Sequence, residues 1–243
     1  MLQLAGSGSR IVMGETVVLD IALLAPAKVQ AEHLLARIRQ AGNIEHARFL
    51  ALGMDESWPE KYFHEVHWLP NSNAALPRQS LASLAAIVHI HQCRLPLREL
   101  HSGFRHYIWD SSKQMAGFWA SLYRARGNPA IPGLDWNSYT NWSPGLRVGR
   151  SLHAHGTNLA EAVESLSARL HDNPCRAAVQ ALLIIEAGCP VTFGGYVDAL
   201  ERLGRVTGAE VIPTGWQEVQ GSGCGLWLSW FEPSIERTFE RIN

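Results

Sequence analysis

The stretch VVLDIALLA at 17–25 carries one charge in nine residues, an apolar run with the length of a central β-strand. Directly behind it, AKVQAEHLLARIRQAG places Ala27, Ala31, Leu34, Leu35 and Ile38 at helical spacing and stops at Gly42. A strand feeding an amphipathic helix commits the chain to mixed α and β structure. Two more strand-like runs, ARFLALGM at 47–54 and YFHEVHWLP at 62–70, flank the turn-rich DESWPEK. The segment 76–92 then repeats Leu81, Leu84, Ala85 and Val88 with a helical period, so a second helix is expected there. The order βαββα is most of a ferredoxin-like unit, a four-stranded antiparallel sheet backed by two helices.

From 93 to 156 the pattern changes to many Trp and Tyr residues punctuated by Pro and Gly, with one helix expected at SSKQMAGFWASLYRAR. It reads as an insertion. Within it, 127–149 holds too many breakers for regular structure, yet its aromatics set it apart from a flexible linker. Two helices are expected next. One runs from about Asn158 to His171 with Leu159, Val163, Leu166 and Leu170 on one face; the other is opened by Asn173 and Pro174 and closed by Gly188. The tail reads as a helix at 194–203 stopped by Gly204, strands near GAEVIP and CGLWLSWF, and a last helix from Pro233 with Ile235, Phe239 and Ile242 apolar. The expected fold class is therefore α+β: two ferredoxin-like (RRM-like) halves at 1–92 and 190–243, with a large, mostly helical, basic insertion at 93–189.

The chain has 243 residues, 47% of them hydrophobic and only 18% charged, with nine Trp, which excludes chain-wide disorder and supports a large core without disulfides. Cys93, Cys175, Cys189 and Cys224 lie far apart with no CxxC spacing, so they read as reduced thiols rather than a zinc knuckle or a disulfide framework. No stretch reaches the roughly 18 uncharged apolar residues of a membrane span, and MLQLAGSGSR lacks the pattern of a signal peptide. A cytoplasmic location away from membranes is the expectation. The net charge of −1 hides an asymmetry: 94–150 holds eight Lys and Arg against three Asp and Glu. Only Lys28, Lys61 and Lys113 are lysines, so the positive charge is almost all guanidinium, suited to bidentate phosphate contacts and to stacking on bases.

No GxSxG, P-loop or HExxH is present. His89 with His91 and His153 with His155 form two HxH pairs, but on the expected helix His89 and His91 diverge by about 200°, and no acid lies nearby in sequence. No metal or other cofactor is expected. Glu161 with Glu164 and Glu236 with Glu240 read as solvated helix faces. GSGCG at 221–225 precedes a strand rather than opening a helix, which fits a tight turn or a loop approaching an anion better than a dinucleotide fingerprint. On the first helix His33 and Arg37 are i, i+4 neighbours, followed by Arg39 and His46. A histidine and arginines at one helix end can accept a ribose hydroxyl proton and stabilise a pentacovalent phosphate, the needs of metal-free RNA cleavage. A solvated helix face explains the same residues. In the middle block Arg94, Arg98, Arg105, His106, Lys113, Arg124, Arg126, Arg147 and Arg150 interleave with Trp109 and other rings, supplying phosphate neutralisation and stacking surfaces together.

The element order over 1–92 and 190–243, the loop GSGCG entering a late strand and His46 after the first helix together resemble the CRISPR-associated endoribonucleases of the repeat-associated mysterious protein superfamily, in particular its divergent type IV members. That resemblance implies a metal-independent nuclease that processes precursor crRNA at a repeat hairpin by attack of the 2′-hydroxyl and keeps its product in a ribonucleoprotein with other CRISPR effector subunits. It implies His46 or His33 as general base or, as in divergent members, reliance on the arginines Arg37, Arg39 and Arg241, with the basic insertion holding the repeat hairpin. Two rivals remain open: a non-catalytic regulator that binds a cyclic dinucleotide or a protein partner through Arg202 and Arg205, and a non-catalytic RNA-binding subunit.

Overall fold

The computed structural model describes residues 18–41, 44–69, 78–93, 103–127, 139, 147–174, 178 and 180–233. Its elements are β1 (Leu19–Ala25), α1 (Lys28–Ala41), β2 (Ala47–Gly53), β3 (Phe63–Trp68), α2 (Arg78–Leu84), β4 (Ala85–Gln92), β5 (Arg105–Ile108), α3 (Ser112–Gly127), β6 (Arg147–Gly156), α4 (Leu159–Asp172), β7 (Gln180–Ala187), α5 (Phe193–Thr207), β8 (Glu210–Glu218) and β9 (Cys224–Pro233). One sheet joins all nine strands in the order β2-β1-β3-β4-β5-β6-β9-β7-β8. Every pairing is parallel except the two made by β9, which runs against both β6 and β7.

Helices cover both faces. One face packs α1 and α3 against Ile21, Leu23, Tyr107, Leu182, Ile184 and Trp227. On the other, α2 lies beside Ala22, Leu24, Val66 and Val88, and α4 and α5 cover Leu183, Ile185, Leu226 and Trp230. A parallel strand buried on both faces reads as a near-continuous apolar run, which is why β1 shows no alternation. The same cause overturns two helix expectations. AAIVHIHQ folds as β4, and ALLII lies in β7 rather than in a helix reaching from Asn173 to Gly188.

The two ferredoxin-like halves are not found. Residues expected to form a helical insertion supply β5, α3 and β6 to the middle of the sheet, which runs without a break past residues 92 and 189. The fold class is α/β with a mostly parallel sheet. The other helices match their sequence signals. Asn158 accepts a hydrogen bond from the Glu161 backbone N–H at the start of α4, and Gly208, at φ 66°, ends α5 in the left-handed region, four residues beyond the expected stop at Gly204. The helix expected from Pro233 lies outside the described residues. No helix among the described residues is long and apolar enough to cross a membrane.

Candidate functional site

Polar residues alternate along β3 and β4, Glu65 with His67 and His89 with His91, and all four side chains are buried beneath α3. His67 sits directly opposite His89 in the parallel register. The hydrogen bonds have one consistent direction. The Trp109 indole N–H can only donate, so His91 Nδ1, 3.0 Å away, accepts. Burial holds His91 and His67 well below the usual histidine range, so both are neutral. His91 Nε2 then carries the proton and donates to His67 Nδ1 at 2.8 Å, and His67 Nε2 donates to the Tyr123 hydroxyl at 2.6 Å. Tyr123 donates in turn to Glu65 Oε2 at 2.8 Å. Tyr139 at 2.9 Å and His89 Nε2 at 3.1 Å donate to the same oxygen, and Arg126 pairs with Oε1. Burial by itself would raise the Glu65 carboxyl; the Arg126 charge and the His89 hydrogen bond outweigh it and hold Glu65 well below its ordinary value. Burial lowers His89 to about 3.

Glu65, His67 and His89 offer ligand atoms within 4.8 Å of one another, the spacing of a metal trio. The hydrogen-bond direction rules against it. Both Nε2 atoms that face the carboxylate carry protons, and a metal needs their lone pairs. Reversing the relay would aim a proton on His91 Nδ1 at the Trp109 N–H, leaving two buried donors face to face. These residues do not fit a cation. They join α3, through Tyr123 and Arg126, to the sheet.

The open site lies where β5 and β6 part. These strands pair only at His106 with Val148 and Tyr107 with Gly149, after which β5 stops at Ile108 and β6 continues to Gly156. The result is a cleft of about 1260 Å³ beside the carboxyl end of the parallel strand β5 and the projecting half of β6. His33 and Arg37 line it from α1, Asp110 and Lys113 from the start of α3, His153 and His155 from β6, Arg169 from α4 and Trp227 from β9. Ser111 and Gln114 cap α3 reciprocally: the Ser111 hydroxyl accepts from the Gln114 N–H, and Gln114 Oε1 accepts from the Asp110 N–H. The His153 ring stacks on Trp227, with centroids 3.9 Å apart and planes 17° apart. Burial, reinforced by His155 and Arg169, pushes His153 down to about 4, so it is neutral near pH 7.

The sequence-derived site residues do not form one surface. His33, Arg37 and Lys113 share the cleft. Arg39 lines a separate shallow crevice beside Phe49 and Leu50. The His46 ring rests against Gly127, the last residue of α3, roughly 20 Å of helix away from Lys113. Arg124 pairs with Glu186, Arg126 with Glu65 and Arg150 with Glu232. Arg105 is buried, donating to the Tyr139 carbonyl at 2.9 Å, and His106 and Trp109 are buried as well. Arg202 and Arg205 are exposed on α5. Arg94, Arg98 and Arg241, and the side chain of Arg147, lie outside the described residues. Sequence reasoning missed Glu65 and Arg169 and read Tyr123 and Tyr139 only as rings of the basic, aromatic block; the i, i+2 polar pairs in EVHW and HIHQ were the available signal, masked by the helix assigned to 76–92.

No protein-family profile and no curated protein sequence matches the chain. Solved structures do. CetZ from Methanosaeta thermophila strain DSM 6194 aligns with a TM-score of 0.55 at 12% identity, over 90% of this chain and 88% of that one. CetZ2 from Haloferax volcanii, described as a GTPgS-bound protofilament, aligns at 0.46 and 14%, over 91% and 69%. The FtsZ dimer of M. jannaschii aligns at 0.42 and 10% over 88% of this chain, which spans only 55% of that protein. At such identities the likeness is one of fold. Together with the observed sheet it overturns the resemblance to the CRISPR-associated superfamily, and with it the crRNA endoribonuclease, the two non-catalytic rivals and the RNA and CRISPR-subunit partners. The physical reason is visible in the side chains: the described arginines expected to grip RNA are largely paired with carboxylates of the same molecule or buried.

Proposed function

We propose that this protein binds a phosphate-bearing small ligand of nucleotide size in the cleft between α1, α3, α4 and β6. The carrying observation is the convergence of Arg37, Lys113 and Arg169, from three different helices, on one opening. Among the described residues none of the three has an ion-pair partner, whereas Arg124, Arg126 and Arg150 are all neutralised internally. Among the described residues Asp110 is the only carboxylate lining the cleft. Cations held without internal partners around a concave site favour an anion, and guanidinium groups favour phosphate. The half-buried His153 ring, backed by Trp227, adds a flat surface on which a base can lie.

The place also fits a general rule of open α/β sheets, in which ligands sit outside the carboxyl ends of the strands. The alternative location, the switch point between β1 and β3, lacks a phosphate-cradling loop. There Pro26 and Ala27 replace any glycine-rich loop, and Lys28 is engaged by Glu56 at 3.0 Å. Nucleotide turnover is the enzyme class to assay, since the proposed ligand carries phosphate.

Titration calorimetry of the full chain with pyrophosphate, ATP and GTP at two salt concentrations tests the reading. Binding that weakens with salt is expected. Arg37→Ala and Arg169→Ala should each weaken it about 10-fold or more, the value of a lost charge-assisted hydrogen bond. Arg48→Ala, which breaks only a surface pair with Asp20, should leave it unchanged. Absence of binding at millimolar ligand, or cleft variants that bind like the parent, refutes the proposal. Inorganic phosphate release from bound nucleotide would extend it from binding to catalysis.

A further inference from the structure

At the far end of β6 two cysteines that are 35 residues apart in sequence come together, with Cys189 Sγ and Cys224 Sγ 3.0 Å apart. Cys224 opens β9 and is buried; Cys189 follows β7 and is half-buried. Their backbones are held firmly. Ala187 is in register with Cys224, the Gly188 N–H donates to the Gly223 carbonyl at 2.7 Å, and the Val219 N–H donates to the Ala187 carbonyl at 3.0 Å. Gly223 adopts φ 90°, and a Cβ there would sit 2.4 Å from the Gly156 carbonyl oxygen, so this tight turn presents Cys224 to Cys189 only with glycine in place. A crevice of about 520 Å³, lined by Gly188, Cys189, Pro190, Trp216 and Glu218, opens onto the Cys189 side of the pair.

We propose that Cys189 and Cys224 are a thiol–disulfide exchange site, closed into an internal disulfide by a low-molecular-weight disulfide that enters this crevice. A sulfur–sulfur bond requires the two atoms to move about 1 Å closer, within reach of a χ1 adjustment on each side. The chemistry balances in two steps. The Cys189 thiolate attacks one sulfur of the small disulfide, whose S–S bond breaks; a mixed disulfide forms on Cys189 and the first small thiolate leaves and takes a proton. Cys224 then gives its proton to solvent and attacks Cys189 Sγ, breaking the mixed disulfide and releasing the second small thiol. The protein loses two electrons and two protons, and the small disulfide gains both. Burial, with the contact to Cys189, pushes the Cys224 thiol up to about 12. Cys189, beside the crevice, is accordingly the group that attacks first, and the second step is the slow one. The inference stands apart from the phosphate cleft and does not depend on it.

The test uses the full chain carrying Cys93→Ser and Cys175→Ser, so that only this pair can react, with far-UV circular dichroism to verify folding. Samples are equilibrated with oxidised and reduced glutathione at graded ratios, quenched in acid, alkylated and read by intact mass and peptide mapping. The expected product is a loss of two hydrogens, a cross-linked Cys189–Cys224 peptide and a Tm raised by up to about 10 °C that reverts with dithiothreitol. Adding Cys224→Ser should trap one glutathione on Cys189, whereas adding Cys189→Ser should leave Cys224 unmodified until denaturation. If the serine background fails to fold, peptide mapping of the parent chain reads the same cross-link. A pair still fully alkylated at about tenfold excess of oxidised glutathione, or cross-linking to Cys93 or Cys175 instead, overturns the proposal.

Discussion

Acidification from pH 7.5 to 5.5 isolates the buried histidines. Burial lowers His67 and His91 well below the histidine value of 6.5 and lowers His89 to about 3. A base with a depressed native pKa keeps its full contribution above its unfolded value and loses it as pH falls toward the native value. Between pH 6.5 and 4, therefore, the unfolded chain takes up protons that the native chain refuses. At pH 5.5 an unfolded histidine is about nine-tenths protonated, worth about 1.4 kcal/mol against a native state that stays neutral. The figure is insensitive to how far each native value is depressed. Three such residues remove about 4 kcal/mol, a large share of a typical 5–15 kcal/mol. His153, lowered to about 4, acts in the same direction, while the Glu65 shift operates only below 4.5 and leaves the window clear. Urea unfolding at pH 7.5, 6.5 and 5.5 should show the midpoint falling steeply, and calorimetry in two buffers at pH 5.5 should find about three protons or more taken up on unfolding. Stability that is flat across this range, or uptake below one proton, would mean that the relay histidines are charged in the native state and that the hydrogen-bond direction assigned to the network is wrong.

Other perturbations bear on the same architecture. Tyr123→Phe removes the hydroxyl between His67 and Glu65, leaving a buried N–H without an acceptor and a carboxylate with one donor fewer. Denaturant unfolding should lose about 2–3 kcal/mol, and an unchanged midpoint would show that the relay does not hold α3 to the sheet. Gly149→Ala would place a Cβ 2.5 Å from Tyr107 Cδ1 and 2.9 Å from Phe231 Cε1, so thermal unfolding should report a loss of about 1–3 kcal/mol. Gly194→Ala, in α5 with nothing within 4 Å of the new carbon, should be neutral or raise Tm slightly; equal destabilisation by both would contradict the packing described.

Much of the secondary structure was legible. β1, β2, β3, α1, α3, α4 and α5 lie within a few residues of their expected bounds, because each has either a one-face apolar stripe or a clear capping and breaking signal. The errors fell on β4 and β7, read as helices, and on β5 and β6, read as parts of an insertion. A strand covered on both faces loses its alternation, and a run such as AAIVHIHQ then satisfies a helical period as readily as a strand. That single misreading reversed the geometry of His89 and His91, which share one sheet face instead of diverging. Of the candidate site, His33, Arg37 and Lys113 were identifiable from charge and helical spacing, but Arg169 and His153 reach the same cleft from elements whose neighbours only the sheet order reveals.

Local sequence thus determined that the chain alternates strands and helices, which of its helices are amphipathic, and that basic residues crowd its middle. Tertiary structure decided everything that depends on long-range pairing: whether a guanidinium lines an open cleft, as at Arg37, or is consumed by a carboxylate far along the chain, as at Arg126 by Glu65. It also decided that Cys189 meets Cys224 and that the Trp109 indole sets the proton positions in two histidines of neighbouring strands. Charge and periodicity are properties of neighbours in sequence, whereas desolvation and hydrogen-bond direction belong to neighbours in space.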